Sequence, residues 1–322
     1  MGIFMMNNDN QSNNALRWVV IRKCPGCGCR DGEAYGRLSA TRYKFGNEYI
    51  RLPDQDISLI RCTNCSLIYK TIVPSRIYLT QIFSRQANNA WSDKYNFVSE
   101  KKLFQNLTGK NNFDLLDVGA SNGGLLKSCS DLGGRRSGLD IIKYPDLDNY
   151  ISAEFIHGLI DDLELEWSNR PYEIVALFDV LEHAYKPYQA FQNLYNLVKD
   201  DGYAVIETGD ADSAWPKKYG ISNWWYVNLF EHHIFWTEKS LRFMADKIGF
   251  EIIHFARKTN KACTLQSGIL HLKNLWKVGL YKLSPKGYRR VAKTIGIRGI
   301  QPWCLFSKNH LLAVLSKAKS KS

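Results

Sequence analysis

The chain has 322 residues, 45% hydrophobic and 23% charged. These are the values of a soluble globular protein long enough for one main domain and an accessory part. No apolar run approaches the roughly eighteen residues that span a bilayer. The start, MGIFMMNNDNQSNN, has neither the charged region nor the apolar core of a secretory signal, and Met6 breaks the myristoylation pattern. A cytoplasmic location with reduced thiols is expected. The formal net charge is +12 and unevenly placed: from Glu251 onward fifteen Lys and Arg face one acid, while the preceding 250 residues carry 28 basic and 30 acidic groups.

In chain order, residues 1–16 read as a disordered polar leader. Residues 17–75 are short β-prone runs between turn residues and contain two Cys-x-x-Cys pairs. Residues 76–112 read as a helical linker. From residue 113 to 257 short apolar runs (FDLLDVG, SGLDII, EFIHG, YEIVALFDVL, YAVIETG) alternate with helix-like stretches. That alternation predicts an α/β fold, a doubly wound, Rossmann-like parallel sheet. Thr237 is a candidate N-cap for TEKSLRFMADKIGF, with Gly249 just past its end. Residues 258–322 read as a basic helical extension, amphipathic over LHLKNLWKVGLYKL, ending in a solvated SKAKSKS tail.

Cys24, Cys27, Cys62 and Cys65 form a four-thiol set. Soft ligands in two knuckles select Zn2+ in a tetrahedral, closed site, so a structural zinc in a small β module is expected rather than a catalytic one. Pro25 stiffens the first knuckle, Gly28 permits its turn, and Cys29 is a spare thiol. Cys129, Cys263 and Cys304 read as small buried apolar residues.

LLDVGASNGGLLK, residues 115–127, is a strand, a glycine-rich turn and a helix start. A nucleotide-type ligand approaches backbone closely at such a turn. The spacing departs from the dinucleotide fingerprint, and no Gly-Lys-Ser/Thr follows, which excludes a P-loop. Asp140, at the end of the next strand, is placed to hold ribose hydroxyls.

This segment resembles motif I of class I S-adenosylmethionine (SAM)-dependent methyltransferases, with Ser121 where a middle glycine often stands. YEIVALFDVLEHAYKPYQAFQNLYNLVKDDGYAVIET and LFEHHIFWTEKSLRFMADKIGFEI resemble later blocks of the ubiquinone-type branch. A four-cysteine unit ahead of such a domain resembles methyltransferases of bacterial polysaccharide and deoxysugar pathways. The resemblance implies that Gly119, Ser121 and Gly123 line the methionine part of SAM and that Asp117 orients its amino end. It also implies that Asp140 binds the ribose, that Asp161, with Asp162 close behind, lies near adenine, and that Phe178 and Asp179 flank the sulfonium. Plain core packing is the other reading of Phe178.

Methyl transfer to a hydroxyl needs alignment and a general base. Three histidines are candidates: His232, which aligns with the resembling family's histidine, then its neighbour His233, then His183 in LEHAYKP. Helix capping is the other reading for His183, and a backbone-bonded structural histidine for His232. His157 reads as structural. WPKKYGISNWWYVNLFEHH gathers Trp215, Trp224, Trp225 and Tyr226 into an acceptor platform or a lid. The expected partner is a sugar-type small molecule, nucleotide- or lipid-linked. The basic segment is a candidate for peripheral contact with an anionic membrane, for phosphate binding, or for a plain cap. The competing readings are an RNA base methyltransferase and a non-catalytic zinc-dependent interaction protein. The ten Lys and Arg against five acids in residues 17–75 make that module only moderately basic, which counts against RNA. The intact Asp117, Gly119, Gly123 and Asp140 count against a decayed domain.

Overall fold

The computed structural model of the chain describes residues 17–90, 96–163, 167, 170–259, 279–294 and 308–318. The first part holds β1 (Trp18–Val20), β2 (Gly32–Leu38), β3 (Arg42–Phe45), β4 (Glu48–Arg51), β5 (Ile57–Cys62), β6 (Ile68–Lys70) and β7 (Ile72–Pro74), then α1 (Arg76–Ala90) and α2 (Val98–Thr108). The second holds β8 (Leu115–Val118), α3 (Gly124–Ser128), β9 (Arg136–Asp140), β10 (Phe155–His157), β11 (Tyr172–Phe178), α4 (Pro187–Leu197) and β12 (Val198–Gly209). It continues with α5 (Ala214–Tyr219), β13 (Ile234–Phe235), α6 (Glu238–Ile248), β14 (Phe250–Thr259), α7 (Pro285–Thr294) and β15 (Lys308–Lys317).

The main sheet has the order β10-β9-β8-β11-β12-β15-β14. It is parallel from β10 to β12, with β15 and β14 antiparallel at the far edge. Strand β8 is buried throughout, and β11 nearly so, because helices cover both faces of a parallel sheet. Helix α4 opens on Pro187 and turns Ala190, Phe191, Leu194 and Leu197 inward at helical spacing. Helix α6 has the expected cap: Thr237 Oγ1 accepts the Ser240 N–H at 3.0 Å, Ser240 Oγ returns the bond to the Thr237 N–H, and Gly249 closes the helix at φ 100°.

Strand β15 corrects the expected helical extension over residues 258–322. NHLLAVLSK pairs with β12 on one side and β14 on the other, and its middle is buried. Its unbroken apolar run suits an interior strand, a signal hidden by the basic residues around it. Helix α7 does follow in this region, whereas residues 1–16 and 270–278 lie outside the described residues. Among the described residues no helix is long and apolar enough to cross a membrane.

The small sheet, β13-β6-β5-β2, is not built from residues 17–75 alone. Its edge strand β13 comes from beyond β12 and pairs antiparallel with β6, Ile234 with Tyr69 and Phe235 with Ile68. Cys24, Cys62, Cys65, Leu67 and Tyr69 share one apolar cluster with Val118, Leu177 and Trp236. The cysteine-bearing unit and the main sheet thus share a core. Phe235 is fully buried at this seam. Phe235→Ala is expected to cost about 3–5 kcal/mol, read by urea unfolding as a lower midpoint with a single transition, because both parts lose the same contacts.

Candidate active site

The strand order changes direction between β8 and β11, which leaves a crevice at their carboxyl ends. The loop after β8 turns sharply into it. Gly119 sits at φ 74°, and a Cβ there would lie 2.5 Å from Val180 Cγ2. Ser121 takes φ 46°, the left-handed conformation a glycine would supply more cheaply. Its N–H donates to Asp140 Oδ2 at 2.8 Å, while Asp140 Oδ1 accepts the Ile142 N–H at 3.3 Å. Asp140 therefore ties together the loops that follow β8 and β9.

A cavity of about 430 Å³ opens at this point. Asp117, Gly119, Ser121 and Asp140 line one part, and Asp161, Phe178 and Asp179 extend it. His183 and His232 line it too, with Trp225, Tyr226, Glu207 and Glu231. Three of the expected cofactor and base residues do not line it: Asp162, which pairs with Arg76, Gly123 and His233. Gly123, at φ 82°, has a packing role: a Cβ would come within 2.7 Å of Leu147 Cδ1. His233 turns instead against the Tyr185 ring, centroids 4.3 Å apart, and serves the fold through its backbone.

The cavity's carboxyls lie in low dielectric. Burial, then the charge of Asp140, pushes Asp117 well above the usual carboxylate range. Asp140 is also raised by burial, against the bonds it accepts from backbone N–H groups. Asp161 is committed to the fold: its Oδ2 accepts from the Tyr185 and Lys186 N–H groups, both at 2.8 Å, and from Arg76 at 3.1 Å. Phe178 stacks on Phe97 and Phe104, so it packs the core and borders the cavity at once.

The histidine side is more connected than the sequence suggested. The turn Leu181–His183 follows β11. Nδ1 of His183 lies 3.0 Å from the Glu231 carbonyl, which can only accept, so Nδ1 carries the hydrogen of that bond. His232 is buried with its Nδ1 unpartnered, its ring edge-on to His183 at 4.8 Å and to Tyr226 at 4.2 Å. Burial first, then the neighbouring His183 and Lys70, holds its pKa well below the ordinary value, which favours the neutral imidazole. Glu182 is fully buried, bonded by the Tyr226 hydroxyl and by Thr208 Oγ1. Burial, then Asp179, pushes it up to about 8. Glu182, His183 and His232 bring ligand atoms within 4.8 Å of one another. Both Glu182 oxygens already accept hydrogen bonds, and that favours proton handling over metal binding here. Glu182 and Glu231 were missed as site residues, though each directly precedes a nominated histidine.

The four cysteines converge as their spacing predicts. Cys24 and Cys65 Sγ atoms are 3.5 Å apart, as are those of Cys27 and Cys62. That is far beyond a disulfide bond and close to the edge of a tetrahedral thiolate site. Gly28 closes the first knuckle at φ 76°, its N–H donating to Cys24 O. Cys29 points elsewhere, toward Asp31 O.

A family model described as "Methyltransferase domain" matches residues 83–255, more than half of the chain. The chain belongs to that methyltransferase family. It is 28% identical over 122 residues to the ubiquinone biosynthesis O-methyltransferase of Proteus mirabilis, a match covering 36% of this chain and 47% of the relative. The chain therefore spans about half the length of that curated relative. Among solved structures, it is similar to the Burkholderia thailandensis 1,6-didemethyltoxoflavin-N1-methyltransferase, which holds its substrate and S-adenosylhomocysteine (12% identity, TM-score 0.49, 87% of this chain and 100% of that one). It is also similar to the Bacillus subtilis YcgJ protein (14%, TM-score 0.46, 68% and 97%). The matched methyltransferase domain is built on a Rossmann-like, mostly parallel sheet.

Two consequences can be measured. Gly119→Ala puts a methyl into Val180 at a left-handed position; loss of SAM binding by calorimetry is expected, with the circular dichroism of the fold retained. The second concerns pH. Glu182 keeps its proton up to about 8 in the folded chain, above an ordinary 4.5. Its contribution to stability is full below that ordinary value and is lost as pH rises toward about 8. Melting temperature should fall across this window, and fall less in Glu182→Gln, which has no proton to lose.

Proposed function

We propose that this methyltransferase moves a methyl group from SAM to a hydroxyl of a sugar or related small acceptor in bacterial surface-polysaccharide biosynthesis. The observation that carries the reading is a single cavity bordered at one end by the loop after β8 and Asp140, and at the other by His183, His232 and Tyr226. SAM supplies a methyl group already activated on a sulfonium. Gly119 and Ser121 pass the backbone close to its methionine part, with Gly123 shaping the turn and Asp117 orienting the amino end. Asp140 accepts from the ribose hydroxyls, and Asp161 borders the adenine. Phe178 and Asp179 flank the sulfonium, where an aromatic face and a carboxylate both favour positive charge.

At the acceptor end His232 takes the hydroxyl proton as the methyl–oxygen bond forms. In its neutral form the imidazole can take that proton, and His232 borders the cavity. His183 stands beside it. Trp225 and Tyr226 give the acceptor an apolar face to rest on. Among the described lining residues there is no Lys or Arg, which favours an uncharged acceptor group over a phosphate of RNA at the point of transfer. The polysaccharide setting rests on the likeness of the four-cysteine unit joined to such a domain.

Cys24, Cys27, Cys62 and Cys65 would hold one Zn2+ in a closed site whose role is structural, because four thiolates leave no position for substrate. Calorimetry with SAM, on protein whose zinc content is measured, tests the reading. Binding is expected in the wild type and in His232→Ala, and not in Asp140→Ala, with one zinc per chain. A folded, zinc-loaded wild type that ignores SAM would falsify it.

A further inference from the structure

The loop that carries Glu231 and His232 is fixed from two sides. On the side of the main sheet, the His233 N–H donates to Glu182 O at 2.8 Å and His183 Nδ1 meets Glu231 O at 3.0 Å. On the other side Phe230 packs against Tyr43 and Phe45 of the β3–β4 hairpin, and the backbone and charge-assisted hydrogen bonds come from the strand that leaves the second cysteine knuckle. Within that knuckle the Ser66 N–H returns to Cys62 O, and Ser66 takes φ 63°, which aims the chain into β6. Strand β6 pairs with β13, immediately after the loop. The Lys70 N–H, at the end of β6, donates to His233 O at 3.0 Å, and its Nζ reaches back to Leu229 O at 2.6 Å. One residue therefore grips both ends of the segment 229–233.

Lys70 is an expensive choice for a grip. It is 2% exposed, and its ammonium lies 5.7 Å from the Phe235 ring centroid. Burial pulls its pKa down to about 7, against the opposing pull of Glu231. A buried charge costs several kcal/mol unless it is well compensated. An apolar side chain would fill the same space without that cost. What an apolar side chain lacks is a directed, charge-assisted bond to a carbonyl and a positive charge near Glu231, whose Oε2 is buried with no hydrogen-bond partner.

We propose that Lys70 is a positioning residue for methyl transfer, and that through it the metal-bound state of the four-cysteine cluster sets the placement of Glu231 and His232 without setting the affinity for SAM. This rests on the cavity being the SAM and acceptor site. The asymmetry follows from the ties. The SAM end is framed by the loops after β8 and β9, which Asp140 joins, and takes no hydrogen bond from β6 among the described residues, whereas the acceptor end takes two hydrogen bonds from Lys70 of β6. Metal in the cluster fixes Cys62 and Cys65, these fix the start of β6, and Lys70 at its other end fixes the loop. The cysteine unit is therefore a part of the acceptor site rather than a staple beside it.

The test needs no acceptor. Amide hydrogen exchange is followed by mass spectrometry on the metal-loaded full chain, with S-adenosylhomocysteine affinity measured by calorimetry on the same samples. In Lys70→Met, exchange over residues 228–236 is expected to rise about tenfold or more, the loss of one charge-assisted hydrogen bond. Exchange over 115–125 and the affinity should stay within about twofold of wild type. Lys70→Arg, which keeps a cationic donor, should restore most of the protection. Removing the metal by Cys62→Ser should loosen 228–236 in the same way. Unchanged exchange at 228–236 in Lys70→Met, or equal loosening of 115–125, would overturn the proposal. Failure of the wild type to bind S-adenosylhomocysteine is a separate outcome: it sinks the cofactor reading on which the assignment rests.

Discussion

Two neighbouring parallel strands, β8 and β11, whose following connections leave in opposite directions along the sheet, set the terms for the rest of this molecule. Helices can cover the faces of such a sheet, but none can cover the point where the directions part. The carboxyl ends of the two strands are left open there, and every polar group that must meet a ligand collects around them. Gly119 and Ser121 follow β8 within three residues, Phe178 ends β11 and Asp179 follows it, which brings all four to that position. Ser121 and Asp179 both accept positive φ angles, a cost borne at the rim of the crevice where the chain must turn away.

The second theme is buried charge. The cavity wall holds carboxyls that burial pushes toward the neutral form, Asp117, Asp140 and Glu231 among them, and the histidine beside them is pushed toward neutrality as well. Lys258 shows how the protein manages the remaining charge. Its Nζ lies 2.6 Å from Glu207 and 3.0 Å from Glu100, so a residue of β14 balances one acid in the cavity wall and another on α2. His310 of β15 lies 3.2 Å from Asp179. Strands β14 and β15, beyond the parallel part of the sheet, therefore face acids at the ends of the parallel strands.

The cysteine unit is integrated in a comparable way. It receives its edge strand from the segment that carries the nominated bases, so neither can settle without the other. A small β unit of this size has little core of its own; here it borrows one, through Tyr69, Leu67 and Trp236. The aromatic-rich segment before β13 divides its labour. Trp215 and Trp224 pack against Ile221, Phe235 and Tyr281, while Trp225 and Tyr226 turn to the cavity.

What the sequence by itself determined is what short-range chemistry dictates. The turn after β8 was legible because glycine is the cheap answer to a left-handed backbone. The four thiols were legible from their two-residue spacing, α6 from its Thr237 cap and closing Gly249, and the parallel strands from continuous apolar runs. The sequence ranked His232 first by resemblance; the geometry adds that His183 and His232 both line the cavity while His233 turns against Tyr185. Strand β15 was hidden because a run of apolar residues states burial but not its partner, and basic neighbours suggested a surface. Only the tertiary structure decided that β13 completes the sheet of the cysteine unit, that Tyr226 bonds Glu182 across 44 residues, and that Lys70 reaches Leu229 across 159. Those pairings depend on distance through space, and no periodicity along the chain encodes them.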